Sequence, residues 1–244
     1  MDHSQYKRPP ITEAVIEMRF SSVIEEPTLL KVSKKFEKNY SRLEPIKSHG
    51  LETNVINGES ITNIITKTDY RLSSQDISQI LILRQSAFVL SQLAPYKSWD
   101  YLISRFERDV KLHLKHAGYC PITRIGVRYI NRIDIPKTGS LIHEAEYLNI
   151  YPKHPDILNP LLSYSINSRS ELEDIKSLLT INSAVVNSPL PENISIVVDQ
   201  DIVRETDLPQ NTKDIIDFLH EVRIKKNSVF ESCITDKTRE LFDK

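Results

Sequence analysis

Hydrophobic and polar residues alternate most regularly between residues 121 and 136, and this pattern predicts a long β-strand. Side chains two positions apart on a strand project from the same face of a sheet. One face of this strand is apolar, with Asn131 as its exception, and comprises Ile125, Val127, Tyr129, Ile133 and Ile135. The opposite face aligns three guanidinium groups, and we call these residues the arginine face: Arg124, Arg128 and Arg132.

The same periodicity predicts further strands and helices along the chain. Alternating segments predict strands at 13–20, 55–57, 61–66, 77–83, 87–92, 162–168, 177–187 and 194–204. Apolar residues at helical spacing predict helices at about 27–43 and 99–117, a third helix capped by Thr212, and a short helix after Thr235. Asn57-Gly58 is typical of a tight hairpin turn, and residues 137–160 are expected to form a long surface excursion.

This order of elements predicts an α+β fold, with a mainly antiparallel sheet and long helices packed on one face. Because the sequence has no linker rich in Gly, Ser or Pro, we expect residues 1–244 to form a single α+β domain. A diverged duplication is the alternative: lobes 1–118 and 119–244 would be pseudo-repeats, with strand 13–20 corresponding to strand 122–135. No residue-level repeat accompanies that correspondence.

Composition favours a cytoplasmic protein without a membrane segment. The 244 residues carry a net charge of −1, so any contact with nucleic acid requires a local basic patch. The two cysteines make no disulfide framework, and no apolar run resembles a signal peptide or approaches the ~20 residues of a membrane helix. With five glycines and no GxGxxG or GxxxxGK motif, the sequence predicts no cofactor.

The arginine face has two interpretations. Its planar donors can bind phosphate or carboxylate groups of a nucleotide, a nucleic-acid backbone or a protein partner. Tyr129 and Asn131 are further candidate ligand-binding residues on the same strand. Alternatively, the arginines form an ion-pair network with acids of neighbouring strands, namely Glu13, Glu17, Asp199 and Asp201. Arginines that open into a cleft without acid partners would favour ligand binding.

Other reactive side chains form weaker patterns. Asp199 and Asp201 share a strand face and are candidate ligands for a divalent cation, or partners of the arginines. His113 and His116 lie three apart on the predicted second helix, but no HExxH-type set accompanies them, which favours an exposed helix face. Both cysteines are expected to be small buried residues, and no GxSxG motif is present, so no catalytic residue is predicted.

Three aromatic residues cluster where the second helix is predicted to begin: Tyr96, Trp99 and Tyr101. Together with Arg128 and Tyr129 they could stack against a nucleic-acid base. The alternative is an aromatic corner of the core, where a strand meets a helix.

Several blocks of the sequence resemble a sporadically distributed bacterial family of unknown function. The most specific blocks are PPIxEAVIExRF at residues 9–20 and RYINRI at residues 128–133. Weaker blocks are Leu93-x-x-Tyr96-x-x-Trp99, Asp199-x-Asp201, and a C-terminal group of Leu219, His220, Asn227, Phe230, Ile234 and Thr235. The resemblance spans nearly the whole chain, but it implies no activity and no catalytic residue. Sporadic distribution associates such families with toxin–antitoxin pairs and phage defence.

The leading functional hypothesis is a non-enzymatic cytoplasmic interaction protein, an antitoxin-like or phage-defence-associated subunit that acts through a protein partner. It depends on the lack of a catalytic motif in the sequence and on the family resemblance. The alternative is binding or processing of a phosphate-bearing ligand, a nucleotide or a nucleic acid, on the face formed by Arg124, Arg128 and Arg132. Under this alternative, Arg128→Ala removes ligand binding without unfolding the protein.

Overall fold

The computed structural model describes residues 6–56, 59–118, 120–137, 144–155, 157 and 162–243. Within these ranges the strands are β1 Ile11–Phe20, β2 Arg42–Ile56, β3 Glu59–Ser73, β4 Gln79–Arg84, β5 Ala87–Leu93, β6 Ile122–Pro136, β7 Ser165–Leu172, β8 Ser177–Val186 and β9 Asn193–Arg204. The helices are α1 Glu26–Lys34, α2 Trp99–Ala117, α3 Thr212–Cys233 and α4 Asp236–Asp243. The predicted α+β fold is therefore confirmed.

All nine described strands belong to one antiparallel sheet, in the order β2-β3-β4-β5-β1-β6-β9-β8-β7. The central strands β1 and β6 pair directly, so the sheet is continuous across the middle of the chain. In the first half of the chain, β1 pairs with β5, and helix α2 follows β5. In the second half, β6 pairs with β9, and helix α3 follows β9. This shared order brings β1, β6 and the beginnings of two helices to the centre of the molecule.

The hydrophobic core lies between one face of this sheet and the helices. Alternation along β1 and β6 sends Ile16, Met18, Val127 and Tyr129 to this side, where all four are almost fully buried. Helix α2 contacts α1, α3 and β5, while α1 also contacts β3 and β4 and α3 contacts β9. The core is one contiguous cluster that includes residues from both halves of the chain. None of the described helices is long and apolar enough to cross a membrane.

The first helix and the strand after it differ from the sequence prediction. Helix α1 ends at Lys34, and β2 begins at Arg42, inside the range expected to be helical. Pro45 lies in β2, which is the edge strand of the sheet, where a residue without a backbone N–H is tolerated. Strands β2 and β3 pair continuously from Arg42 and Ser73 to Ile56 and Glu59, so this hairpin is far longer than predicted. The Asn57-Gly58 turn itself lies outside the described residues.

Most of this hairpin extends past its neighbours. Strand β4 pairs with β3 only from Tyr70 to Ser73, which leaves the outer part of the hairpin as a two-stranded ribbon. Leu51 and Ile64 are directly opposite each other on this ribbon, and they are 75% and 72% exposed. An isolated two-stranded ribbon is marginally stable in water.

Helix α2 has the predicted bounds, and its cap is confirmed. The Ser98 hydroxyl accepts a hydrogen bond from the backbone N–H of Tyr101 at 3.1 Å, which satisfies one donor of the first turn. The helix also buries polar groups that the sequence prediction missed. The Asp109 carboxylate accepts hydrogen bonds from Tyr40 at 2.6 Å and from Arg108 at 2.7 and 2.9 Å. His113 is also buried, so the prediction of an exposed face for the His113 and His116 pair is wrong for His113.

Two later segments also require correction. Asn211, rather than Thr212, caps α3, because its side-chain oxygen accepts the backbone N–H of Asp214 at 3.0 Å. Within the described part of the predicted surface excursion, Leu148 is fully buried and forms an isolated β-bridge with Ile234 between α3 and α4. The rest of that excursion, at 138–143, 156 and 158–161, lies outside the described residues.

Candidate functional site

The three arginines share the sheet face opposite the helices, as the alternation predicts, and each has a carboxylate partner. Arg124 forms ion pairs with Glu17, with Asp201 at 3.7 Å and with Glu205 at 3.6 Å. Its guanidinium lies beside Gly126, the residue directly opposite Glu17 on the neighbouring strand. The predicted ion-pair network with Glu17 and Asp201 is therefore present at this end of the arginine face.

The other two arginines are held by acids of β9 and β6. Arg128 donates two hydrogen bonds to Asp199, at 2.8 and 2.7 Å, in the bidentate geometry that suits a carboxylate. Arg132 binds Asp134 two residues along its own strand, at 3.0 and 3.1 Å. A phosphate group at the arginine face would have to compete with these carboxylates. Ligand binding by the arginine face stays a prediction.

Asp199 and Asp201 lie two residues apart on the same face of β9. Both form ion pairs with the arginines, Asp199 with Arg128 and Asp201 with Arg124. Burial raises the pKa of Asp201, while the nearby Arg124 and Arg128 oppose this rise. Within the described ranges, no group of three or more His, Cys, Asp or Glu side chains is arranged to hold a metal ion. The proposed divalent-cation role of the two aspartates thus has no third protein ligand among the described residues.

Tyr129 and Asn131 lie on the other face of β6, separated from the arginines by the sheet itself. Both are almost fully buried, and both line a cavity of 290 Å³ that we call the aromatic cavity. Its walls come from four segments, which we define by their ranges: the N-terminal stretch 6–11, the β5–α2 connection 96–99, residues 129 and 131 of β6, and residues 223–231 of α3. The predicted candidate residues therefore divide between two separate sites.

Helical periodicity explains the contribution of α3. Arg223, Lys226, Asn227, Phe230 and Glu231 are spaced by three, four, seven and eight positions, which places them on one side of the helix. This side of α3 also carries the buried apolar residues of the helix, which include Val222. By helical spacing, Lys226 therefore occupies a position at which an apolar residue is expected. This charged residue in a buried stripe is the sequence signal that would have located the cavity.

The aromatic side chains of the cavity contact one another. The hydroxyl groups of Tyr96 and Tyr129 are 3.1 Å apart and share a hydrogen bond, and their rings meet edge to face at 5.8 Å. Trp99 donates its indole N–H to Nδ1 of His220 at 3.1 Å. Of the predicted stacking cluster, the structure brings together Tyr96, Trp99 and Tyr129 at the cavity, whereas Arg128 belongs to the opposite sheet face. These contacts fix a set of rigid aromatic surfaces around the cavity.

The ammonium of Lys226 lies above the ring of Tyr129, 3.7 Å from the ring centre. Lys226 is 9% exposed, and among the described residues no acceptor forms a hydrogen bond or an ion pair with its ammonium. Burial, followed by the charge of Arg223, lowers the pKa of Lys226 to about 7, and Glu231 opposes this effect. Lys226 is thus a buried cation that depends mainly on an aromatic face for its stabilisation.

Positive charge predominates among the other groups that line the cavity. Its lining includes the cations Lys7, Lys97 and Arg223 in addition to Lys226, against one acid, Glu231. Glu231 is already engaged, because it accepts a hydrogen bond from Tyr6 at 2.6 Å and forms an ion pair with Arg239 at 2.8 Å. The unbalanced charge of the described lining favours an anionic ligand.

A smaller cavity of 200 Å³ lies between α1 and the end of α2. Its lining includes His113 and Cys120. The Cys120 sulfur accepts a hydrogen bond from the backbone N–H of Ser22 at 3.2 Å and shares a second one with the Ser22 hydroxyl at 2.6 Å. Burial raises the pKa of the Cys120 thiol, but the hydrogen bonds from Ser22 and Ser21 outweigh it, so the pKa is lowered overall. Cys120 is only partly buried, whereas Cys233 is buried as predicted.

No protein-family model matches the chain, and no curated protein matches it. The resemblance to the bacterial family with PPIxEAVIExRF and RYINRI blocks therefore stays a prediction. The case for function depends on the geometry of the cavity and of the exposed surfaces.

Proposed function

We propose that the chain is a binding protein for a small organic anion with a planar ring, and that the aromatic cavity holds this ligand. The observation that supports the proposal is Lys226, a buried ammonium that lines the cavity and has no acceptor among the described residues. Burying an unpaired charge is costly, so a site that keeps one is suited to a ligand that supplies the opposite charge. An anion placed beside Lys226 would supply it.

The other residues of the cavity suit the planar ring and the acidic group of such a ligand. Tyr96, Trp99 and Tyr129 provide aromatic surfaces for a planar ring. Arg223 contributes a second cation on the same side of α3. Its ion pair with the exposed Asp100 is long, at 3.8 Å, so its planar donors can also bind a carboxylate or a phosphate of the ligand. Asn131 donates its amide N–H to the carbonyl of Val198 at 3.1 Å, which fixes the orientation of its side-chain oxygen as a further acceptor.

The volume of the cavity limits the size of the ligand. A molecule of liquid water occupies ~30 Å³. A cavity of 290 Å³ therefore has room for roughly ten non-hydrogen atoms. A single aromatic ring with one short acidic side chain has this size, whereas a dinucleotide does not.

Binding of three probes that share a benzene ring, two of them anionic and one neutral, tests this proposal. We expect benzoate and benzyl phosphate to raise the melting temperature and to bind at least about tenfold more tightly than neutral benzyl alcohol, because a hydrogen bond to a charged group contributes ~1.5–3 kcal/mol. Lys226→Met and Arg223→Met should each weaken the binding of the two anions. Lys225→Met is the matched control, since Lys225 lies on the same helix but pairs with Asp174. Equal binding of all three probes, or no binding of any, would refute the proposal.

A second candidate function, association with a protein partner, is favoured by the projecting β2–β3 hairpin. Leu51 and Ile64 form an exposed apolar pair on a ribbon that the rest of the sheet does not support. Contiguous exposed apolar surface often marks a contact site for another protein, and this pair would be part of such a surface. Such a partner would be consistent with an antitoxin-like or defence-associated subunit, the role that the family resemblance suggests.

Affinity capture from the native host tests the second candidate. We expect the tagged protein to retain a stoichiometric partner that a Leu51→Lys variant loses. Ile224→Lys is the matched control, because Ile224 is also a largely exposed apolar residue, 63% exposed, but lies on α3. Capture of the same proteins by both variants would exclude the hairpin as the contact surface. Co-purified nucleic acid that Arg128→Ala removes would favour the arginine face instead.

A further inference from the structure

Lys226 combines features that an amine nucleophile requires. Its side chain is buried at the wall of a cavity, and its terminal group lies on the face of Tyr129 rather than in an ion pair. Glu231, the acid whose charge acts on Lys226, is bound by Tyr6 and Arg239. A lysine amine that is desolvated and placed near another cation gives up its proton readily, and such lysines serve as Schiff-base nucleophiles.

The charges around Lys226 are mostly positive. Arg223 lies one turn before it on α3, and Lys7 and Lys97 line the same cavity. Burial and the charge of Arg223 lower the pKa of Lys226 to about 7, against the opposing effect of Glu231. About half of the molecules therefore carry the neutral amine at neutral pH, whereas an ordinary lysine, with a pKa of ~10.4, is neutral in fewer than one molecule in a thousand.

The two tyrosines provide a hydrogen-bond donor beside the amine. One hydroxyl of the Tyr96 and Tyr129 pair donates to the other, which leaves one O–H of the pair available to a ligand. Burial raises the pKa of Tyr96 to about 12 and that of Tyr129 well above its ordinary value, so both hydroxyls keep their protons at neutral pH. A carbonyl oxygen in the cavity therefore meets a donor rather than a phenolate.

We propose that the aromatic cavity binds an aromatic α-oxo acid and that Lys226 captures the ligand's carbonyl carbon as an imine. This inference rests on the proposed binding of an organic anion and names the chemical class of that anion. The carboxylate meets Arg223, the ring meets the aromatic wall, and the carbonyl lies next to the amine.

The capture requires no cofactor and no change of oxidation state. The lone pair of the Lys226 nitrogen forms a bond to the carbonyl carbon, and the electron pair of the C=O π bond moves to the oxygen, which takes up a proton. The resulting carbinolamine loses its hydroxyl group as water, and the nitrogen forms a double bond to carbon. Amine, carbonyl compound and one proton thus give a protonated imine and water.

Reductive trapping tests this inference on the intact chain. The protein is incubated at neutral pH with phenylpyruvate and cyanoborohydride, which reduces an imine to a stable secondary amine. Intact mass and peptide mapping then locate the adduct. We expect one adduct per chain on Lys226, with labelling roughly a thousandfold faster than at an ordinary lysine, in proportion to the neutral amine present at neutral pH. Peptide mapping of the unaltered protein identifies the site without relying on the folding of any variant.

Two variants test whether the adduct forms on Lys226 itself. Lys226→Arg keeps the positive charge but removes the nucleophile, and we expect it to lose the adduct. Lys225→Arg changes the neighbouring residue, which is ion-paired with Asp174, and should keep the adduct. Label spread evenly over the exposed lysines would overturn the inference.

Phenyllactate, which has a hydroxyl in place of the carbonyl, separates the two proposals. If phenyllactate raises the melting temperature but phenylpyruvate gives no adduct on Lys226, the imine is excluded while anion binding stands. If neither compound binds and benzoate also fails, both proposals are overturned. Binding of both acids with an adduct confined to Lys226 supports both.

Discussion

The ammonium of Lys226 lies 3.7 Å from the centre of the Tyr129 ring, and this contact joins helix α3 to the central strand β6 at the wall of the aromatic cavity. The contact places a charge where the helix would otherwise bury an apolar side chain. A cation on an aromatic face regains only part of the hydration free energy that burial removes. Lys226 should therefore lower the stability of the protein. Its amine is nevertheless placed where a ligand in the cavity can contact it.

Replacement of Lys226 by methionine should stabilise the protein at low pH. The unfolded chain holds the Lys226 proton up to its ordinary pKa of 10.5, whereas the folded protein releases it at about 7. Between these values the unfolded state binds more protons, so the free energy of unfolding rises with pH. The penalty is complete below about pH 7 and disappears towards pH 10.5. We expect Lys226→Met to raise the free energy of unfolding by about 4 kcal/mol more near pH 6 than near pH 10, because one pKa unit corresponds to about 1.4 kcal/mol.

Urea unfolding at the two pH values measures this effect. The control is Lys225→Met, which removes an ammonium of the same helix that is paired with Asp174 and should show no comparable pH dependence. A Lys226→Met variant that loses stability equally at both pH values would show that the ammonium is not a buried penalty.

The hydroxyl groups of Tyr96 and Tyr129 should be coupled energetically. Tyr129→Phe removes one partner of their 3.1 Å hydrogen bond and leaves the other hydroxyl partly buried without it. We expect each single Phe variant to lose about 1 kcal/mol of stability, and the double variant to lose less than the sum. A double-mutant cycle measured by chemical unfolding gives the coupling energy. Strict additivity would mean that the pair is not bonded in solution.

The elements that the sequence predicts well are those whose own pattern determines them. Helix α2 carries a stripe of large apolar residues between a Ser cap and Gly118, and β6 alternates over its whole length, so both have the expected bounds. The β2 strand has no such alternation, and its pairing with β3 overrides the local helical spacing before Pro45. Pairing with β3, rather than local helix propensity, therefore determines the structure of that segment.

The site was less predictable, because it depends on which strands become neighbours. The shared face of Arg124, Arg128 and Arg132 follows from alternation alone, but the partners of Arg124 and Arg128 require β1 and β9 to flank β6. The aromatic cavity requires more, since it joins the N-terminal stretch, the start of α2 and the middle of α3. The sequence analysis did single out four of its lining residues, Tyr96, Trp99, Tyr129 and Asn131. It missed Lys226, whose local signal is a charge at a buried position of the α3 stripe.

The Arg128 and Asp199 pair should stabilise the sheet. Asp199 is mostly buried, with a side chain that is 7% exposed, and Arg128 supplies two of its hydrogen bonds. Among the described side chains, Arg128→Ala leaves this carboxylate with only the amide of Asn182 as a hydrogen-bond donor, at 3.3 Å. We expect a loss of about 2 kcal/mol in the free energy of unfolding, because a buried charge loses its partner. Adding Asp199→Asn should restore much of that loss, since it removes the unpaired charge.

Chemical unfolding of the single and double variants measures this pair. Arg19→Ala is the control, because the Arg19 side chain is 54% exposed and its pair with Glu17 should contribute less than about 1 kcal/mol. An Arg128→Ala variant with unchanged stability would mean that the guanidinium is available to a ligand. That result would favour ligand binding by the arginine face.

His113 should make the protein sensitive to mild acid. Its ring is buried against Phe20 and Phe88, with centroid distances of 5.5 Å to each, and its Nδ1 has no hydrogen-bond partner among the described residues. Burial lowers the pKa of His113 from 6.5 to about 4. The unfolded chain binds a proton between these values while the folded protein does not, so stability falls as the pH drops from 6.5 towards 4. His113→Leu removes this group and keeps an apolar side chain at the site.

Unfolding free energies at pH 7 and pH 5 test the role of His113. Between these pH values we expect the unaltered protein to lose about 2 kcal/mol more than His113→Leu does, because one pKa unit corresponds to about 1.4 kcal/mol. His116→Gln is the matched control: His116 lies three residues further along α2 and is exposed, so its replacement should leave the acid response unchanged. If His113→Leu and the unaltered protein lose stability in parallel, another buried group is responsible for the acid response.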